Sequence, residues 1–429
     1  MEEILRKVVN QSKNVFVEAE ISCSSGEALV FEKKKLLYPQ IFDGDSLTVR
    51  VTFPDGRAGV SSTSHINHAI NCLNEAKKFA KVSVPDKQFQ CLPIIKKSNK
   101  LVKLFDNNVK DYTAEDLWND ANAMISFSEE KGVNVQMLSS SKSVGKTFFM
   151  NSEGCAFNEE IHIVSGGISV VKNKFSGDEA QVFTRKPDFL SIAENAVSNC
   201  LSSQNPVKIK SGSTPMILCY DAFNSLSESV LFNAVNGYSV FKKKSFLAGK
   251  LGEHVFSDKL TIIDNPVLDY GLGSRIYDSE GALSVKKTLI SKGVVTDFLQ
   301  DNYTNLVRGE GTNGNCSSIN SRPSISPSNL VVKKGSISYE DMLSQAEGAL
   351  LVKEIGGAHM INAISGDFSN EATKAFIVKN GDLVPVKNVM IAGNFFELLN
   401  DLELVGNDYK QKSAIMAPTL LFSKVQAVA

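Results

Sequence analysis

Apolar and polar positions change period several times along the first 205 residues. Two-residue alternation, the spacing of half-buried strands, runs near residues 14–23, 28–38, 46–53 and 57–62. The turn-forming segments SSGE, FDGD and PDGR separate these runs. Ahead of them residues 2–12 read as a helix. Behind them residues 64–80 place Ile66, Ala69, Ile70, Leu73, Ala76 and Phe79 on one helical face. After a linker-like stretch to Asp111, Thr113 is a natural N-cap, with Glu115 and Asp116 favouring the positive end of the helix dipole. Gly132 ends that helix. Strands near 134–138, 146–150, 156–171 and 180–184, then a helix over 190–201, repeat the order helix, strands, helix with little residue identity between the copies.

The polar stretch 202–215 carries Pro and Gly and reads as a boundary. Beyond it a helix spans 222–235, and the segment 230–240, VLFNAVNGYSV, is helix-like throughout. Short strands follow, with glycine-centred hairpins at Lys292-Gly293 and Asn380-Gly381 and helices over 339–349 and 395–399. The expected fold class is α+β, in three parts: an α/β unit over 1–85, a second over 86–205, and a mainly antiparallel β domain over 206–429.

Composition narrows the setting. Apolar residues make up 42% and charged residues 22% of 429, as in ordinary globular proteins. Lys and Arg number 46 against 47 Asp and Glu, so no strongly basic surface is expected and direct contact with nucleic acid is disfavoured. No apolar run reaches the roughly 18 residues of a membrane span. The start MEEILRKVVNQSK lacks the apolar core of a signal peptide. The seven cysteines stand singly, which points to reduced thiols and a cytoplasmic protein.

Several clusters invite chemical readings. His65, His68 and Cys72 share a helical stripe at i, i+3 and i+7 and could hold a metal, although the adjoining apolar face suits a core border. GEGTNG, residues 309–314, matches the dinucleotide pattern but follows a polar segment and precedes no helix, so a glycine-rich loop is the expectation. Ser143 and Lys146 form SxxK, and a turn between strands accounts for them. His254 and His359 stand alone and cannot complete a metal site by themselves. The run Lys242 to Lys244 reads as a solvated face.

The last 200 or so residues carry, in order, FKKKSFLAGKLGEHVFSDKLTIIDNP (241–266), the acidic turn DSEG (278–281), KKTLISKGVVTDFLQ, GGAHMINAISGDFS (356–369), AFIVKNGDLVPV (375–386), AGN (392–394) and LVGNDY (404–409). This succession resembles the TldD/PmbA family of zinc peptidases. The resemblance implies, for the TldD branch, an HExxxH motif where this chain has Phe232, Asn233 and Gly237, and a cysteine ligand shortly after VGND, where QKSAIMAP puts Met416 and Ala417 nearest. Phe232 and Gly237 offer no donor, a thioether does not replace a thiolate, and the amide of Asn233 cannot act as a base. The chain is thus similar to the PmbA (TldE) branch, which lacks the motif. It implies no metal in this chain and zinc only in a TldD-like partner.

The leading expectation is a non-metal subunit of a TldD/TldE-type heterodimer that degrades or processes extended peptides, inactive alone. Gly309, Gly311, Asn313, Gly314 and His359 are its expected substrate-facing positions. The family's name also links it to modulation of DNA gyrase. The competing reading is a self-assembling, homodimeric peptide-binding scaffold without a proteolytic role; a third is an enzyme built on His65, His68 and Cys72.

Overall fold

A computed structural model describes residues 1–88, 92, 102–309, 314–320, 324–387 and 389–429, so Gly311, Asn313 and most of the expected linker before Asp111 lie outside the described residues. In the N-terminal half α1 (Glu2–Val9) precedes β1 (Phe16–Glu32), β2 (Lys35–Thr52), β3 (Ala58–Thr63) and α2 (Ala69–Val82). Then α3 (Asn107–Lys110) and α4 (Ala114–Glu130) precede β4 (Asn134–Asn151), β5 (Ala156–Lys172), β6 (Phe175–Phe183) and α5 (Phe189–Ser202).

All six strands form one antiparallel sheet in the order β3-β2-β1-β4-β5-β6. The two sequence copies therefore meet edge to edge, through β1 and β4. Leu5, Val8, Leu73 and Ala76 cover Val17, Ala19 and Ile21 of the first copy. Leu117, Ala121, Ile192 and Ala196 cover Leu138, Val164 and Ile168 of the second. Edge-strand glycines admit the helices: a Cβ on Gly59 would lie 2.4 Å from Ala76 O, and one on Gly177 would lie 2.0 Å from Ala196 O.

Two expected turns are strand instead. SSGE and FDGD lie inside β1 and β2, paired Ser24 with Gly44, Ser25 with Asp43 and Gly26 with Phe42. Each supplies the other's backbone partners, so the chain turns later, at Lys33 (φ 45°) and Lys34 (φ 71°). Ser143 and Lys146 likewise lie within β4 rather than in a turn, with Lys146 ion-paired to Glu160 at 3.0 Å. Phe79, expected on the core face, is 53% exposed. The capping of α4 is as expected: Thr113 and Asp116 cap each other reciprocally, and Gly132 follows in the left-handed region at φ 69°.

The C-terminal half comprises β7 (Gly212–Leu218), α6 (Tyr220–Val235), α7 (Gly237–Phe241), β8 (Ile262–Asp264), β9 (Lys287–Ser291), β10 (Val294–Val295), α8 (Asn302–Arg308), β11 (Leu330–Val332) and α9 (Tyr339–Gln345). It continues with β12 (Leu350–Glu354), β13 (Asp367–Ala372), β14 (Lys374–Lys379), β15 (Asp382–Val386), β16 (Val389–Asn394), α10 (Phe395–Asn400), β17 (Leu402–Val405), β18 (Lys410–Gln411), β19 (Ile415–Ala417) and β20 (Leu420–Val428). One sheet runs β10-β9-β8-β11-β19-β18; the other runs β13-β16-β20-β7-β12-β14-β15, with β17 on β20. Most pairings are antiparallel; β7 with β12 and β11 with β19 are parallel. The fold is α+β. Lys292-Gly293 and Asn380-Gly381 turn their hairpins with both residues at positive φ, as two-residue loops require. Helix α6 runs through the core, with Phe223, Leu226, Val230 and Leu231 fully or almost fully buried. The opposite face of the N-terminal sheet meets this half, where Ile319 packs on Phe149 and Cys155.

Candidate functional site

The helix-like stretch 230–240 is broken. Helix α6 ends at Val235, and Asn236 at φ −72°, ψ 112° accepts hydrogen bonds from the amides of Tyr238 and Ser239, opening α7. Its backbone makes an isolated parallel bridge with Leu299: Leu299 N donates to Val235 O at 2.8 Å, and Gly237 N donates to Leu299 O at 2.8 Å. Gly237 is buried there, where a Cβ would lie 2.6 Å from Leu299 O.

Phe232 packs against the core at the end of α6. Asn233 beside it donates from Nδ2 to Lys244 O at 3.0 Å and to Ala363 O at 3.1 Å. That amide ties α6 to two loops, and it has no proton-accepting capacity near neutral pH. Met416 on β19 shares the wall of a cavity of about 250 Å³ with Tyr220, in the first turn of α6, whereas Phe232 and Asn233 occupy the last. The structure thus brings Phe232, Asn233 and Gly237 together and sets Met416 at the other end of the helix. Zinc does not fit this donor set, which offers an arene, an engaged amide, a glycine and a thioether. Among the described residues no group of three or more His, Cys, Asp or Glu is placed to hold a metal.

Gly309 is the left-handed C-cap of α8, φ 78°, its amide on Asn305 O at 2.9 Å. Helix α8 lies against α7 through Tyr303 and Tyr238, 6.1 Å between ring centroids, and Thr304 borders Gly237, 3.1 Å from a Cβ built there. Gly314 is buried under Leu283 and Ser284, its carbonyl accepting from Ser284 Oγ at 3.2 Å. His359 is exposed in a short turn of the 356–366 segment, the one that Asn233 grips through Ala363. Elsewhere, His65 and His68 are exposed with ring centroids 5.7 Å apart. Cys72 turns away, its thiol on Ser61 O at 3.2 Å. His254 and Lys242, Lys243 and Lys244 are exposed.

A buried charge cluster escaped the sequence reading. Arg50 of β2 donates to Glu18 of β1, 2.5 Å from Nε and 2.8 Å from Nη2, and from Nη2 to Glu280 at 2.6 Å. Glu280, in the DSEG turn, also accepts from Asn302 N at 3.0 Å. Asp278 accepts from the amides of Glu280, Ala282 and Cys316. Burial pushes Glu18 up to about 7 despite the charge of Arg50, and burial with the charge of Glu280 pushes Asp278 to about 7 and Asp301 to about 6. The alternation around Arg50, LTVRVTF, was the available signal: a lone cation within a strand core.

Known proteins share this architecture. The profile of the PmbA/TldA metallopeptidase C-terminal domain matches residues 211–428. An uncharacterised protein of Methanocaldococcus jannaschii is 29% identical over 320 residues, 74% of this chain and 76% of that protein. Metalloprotease PmbA of Escherichia coli O157:H7 is 29% identical over 290 residues, 66% of this chain but 62% of that protein, so less than two thirds of its length is matched. The crystal structure of TldE from Thermococcus kodakarensis superposes with a TM-score of 0.91 over 100% of both chains at 23% identity. A proposed modulator of a DNA gyrase from Thermotoga maritima gives 0.91 over 100% of both chains at 24% identity. At such identities the two structures speak to the fold.

Proposed function

The chain belongs to the PmbA/TldD metallopeptidase family, and from that premise we propose that it is the non-metal, TldE-like subunit of a two-subunit peptidase acting on extended peptides. The observation that carries this reading is Asn233. At the place the family resemblance gives to a catalytic glutamate, its amide is committed to two backbone carbonyls. A residue so engaged holds loops together and moves no proton. Hydrolytic zinc then belongs to a TldD-like partner, and this chain contributes framework and substrate-facing backbone around Gly309, Gly314 and His359.

A partner surface supports the same reading. Strand β2 pairs with β1 along its length, but β3 covers it only from Leu47 to Thr52. Its outer half therefore presents an open edge with Leu37, Tyr38 and Ile41 exposed, Ile41 by 84%. Open apolar edges pair with other chains. The proposed setting is the cytoplasm, supported by the six cysteines among the described residues, which stand free and are mostly buried. No helix among the described residues is long and apolar enough to cross a membrane.

The test is a peptidase assay on this protein, on a TldD-like protein of the same organism, and on their mixture. Activity in the mixture alone, abolished when the partner's HExxxH glutamate is substituted, is the expected result. Hydrolysis by this chain alone that withstands chelator, or a partner fully active without it, would reject the reading.

A further inference from the structure

A cavity of about 700 Å³ lies between the β4–β6 face of the N-terminal sheet and the C-terminal half. It sits about 20 Å along α6 from Asn233, at the opposite end of that helix. Its position follows from topology. Strands β7 and β12 run parallel, Leu218 beside Val352, and the chain leaves β7 directly into α6. Crevices outside the carboxyl ends of parallel strands, where a helix begins, are common ligand sites in α/β sheets. Cys219, Tyr220 and Asp221 line the cavity there, and Cys219, the N-cap residue, makes no side-chain capping bond to the 16-residue helix. The positive end of α6 thus opens on the cavity.

The lysines of the lining differ in their engagement. Lys374 is held by Glu354 at 3.0 Å, and Lys412 by Glu179 at 2.6 Å and Asp221 at 3.0 Å. Asp408 is occupied by the amide and hydroxyl of Thr419. Lys353, half-buried at the carboxyl end of β12, meets the ring of Phe376 at 5.3 Å and, among the described residues, no carboxylate. Lys410, exposed, leans on Tyr220, 3.0 Å from the hydroxyl and 4.8 Å from the ring centroid; it makes no salt bridge among the described residues, although its charge reaches the Asp221 carboxylate. Burial holds the Lys353 ammonium below its ordinary pKa, and the charges of Lys374 and Lys410 add to this. Neither lysine is salt-bridged among the described residues, and two such ammonium groups beside a helix N-terminus form a site that an anion would complete. On the sheet wall Asp178 is exposed, a carboxylate that repels a second anionic group at that end.

We propose that this cavity binds a small molecule with a single anionic head, a carboxylate or phosphate seated on Lys353, Lys410 and the first turn of α6, and with a neutral or cationic tail toward Asp178. The site needs no metal and is separate from the degenerate positions at the far end of α6.

The experiment is calorimetric titration of the full chain, at constant ionic strength, with inorganic phosphate, with the dipeptide Ala-Ala, and with the C-terminal amide of Ala-Ala. Saturation by phosphate assigns a phosphate head; saturation by Ala-Ala but not by its amide assigns a carboxylate. In either case Lys353→Met weakens binding about tenfold or more, as loss of a charge-assisted contact does, while Lys353→Arg keeps most of it and Asn233→Ala leaves it unchanged. Lys410→Met is read alongside, so that a misfolded Lys353→Met does not decide the matter. No saturable binding by any probe, equal binding of the dipeptide and its amide without any phosphate binding, or binding indifferent to both lysine substitutions would overturn the proposal.

Discussion

Arg50 Nη2 on β2 lies 2.6 Å from Glu280 Oε1 in the DSEG turn, and the two side chains are 11% and 3% exposed. This pair fastens the N-terminal sheet to the C-terminal half. Arg50 Nη1 adds a hydrogen bond to Asn320 O at 3.0 Å, and Glu18, 0% exposed, holds the guanidinium from the strand side. One cation therefore serves two buried carboxylates, with Asp278 and Asp301 nearby.

Removing that cation is expected to be costly. Arg50→Met leaves Glu18 and Glu280 buried without a counter-ion, a loss of about 3–5 kcal/mol in stability. Urea unfolding followed by tryptophan fluorescence, compared with the exposed control Arg6→Met, measures it. An Arg50→Met protein as stable as the parent would show that the bridge contributes nothing.

The same cluster sets a pH dependence. Glu18 and Asp278, pushed up to about 7, and Asp301, pushed to about 6, bind protons more tightly folded than unfolded. Their contribution is full below the ordinary carboxylate range and is lost as pH rises through 6 to 7. Urea midpoints are expected to fall between about pH 5 and pH 8 on this account, and Glu18→Gln to flatten the fall. An unchanged slope in that variant would remove Glu18 from the explanation.

Restoring the family's motif is expected not to restore a zinc site. In Phe232→His, Asn233→Glu, Gly237→His the new Cβ at 237 meets Leu299 O at 2.6 Å, and the Asn233 tie to Lys244 and Ala363 is lost. The triple variant is expected to melt lower, by an overpacking cost of about 1–3 kcal/mol, and to hold no zinc after dialysis. Elemental analysis and a thermal melt decide it.

Gly177 tests the helix packing of the second sheet half. Gly177→Ala drives a Cβ to 2.0 Å from Ala196 O and 2.5 Å from Cys200 N, both backbone atoms. The expected loss is about 2 kcal/mol or more, against little change for Gly44→Ala, whose nearest contact is 3.9 Å. Equal melting of the two variants would contradict the packing.

Much of the fold was legible because local chemistry agreed with it. The α4 capping box at Thr113 and Asp116, the two glycine hairpins and the apolar face of α2 are each set by residues within a few positions of one another. Other features depended on distant partners. SSGE and FDGD look like turns singly, and only their mutual pairing across β1 and β2 makes them strand. Residues 230–240 look like one helix until Leu299, some sixty residues on, pairs with Val235 and Gly237 and makes Asn236 a break.

The sequence by itself determined the α+β class, the repeated unit, the family resemblance and the absence of donors at Phe232 and Gly237, because these reside in residue identity and short-range periodicity. Tertiary structure decided that the two repeats share one sheet, that Met416 stands at the far end of α6 from Asn233, and that Arg50 finds Glu280. It also decided that Lys353 and Lys410 face one cavity beside the start of α6. Such placements arise from burial and backbone pairing between segments hundreds of residues apart, and no local pattern encodes which segments will meet.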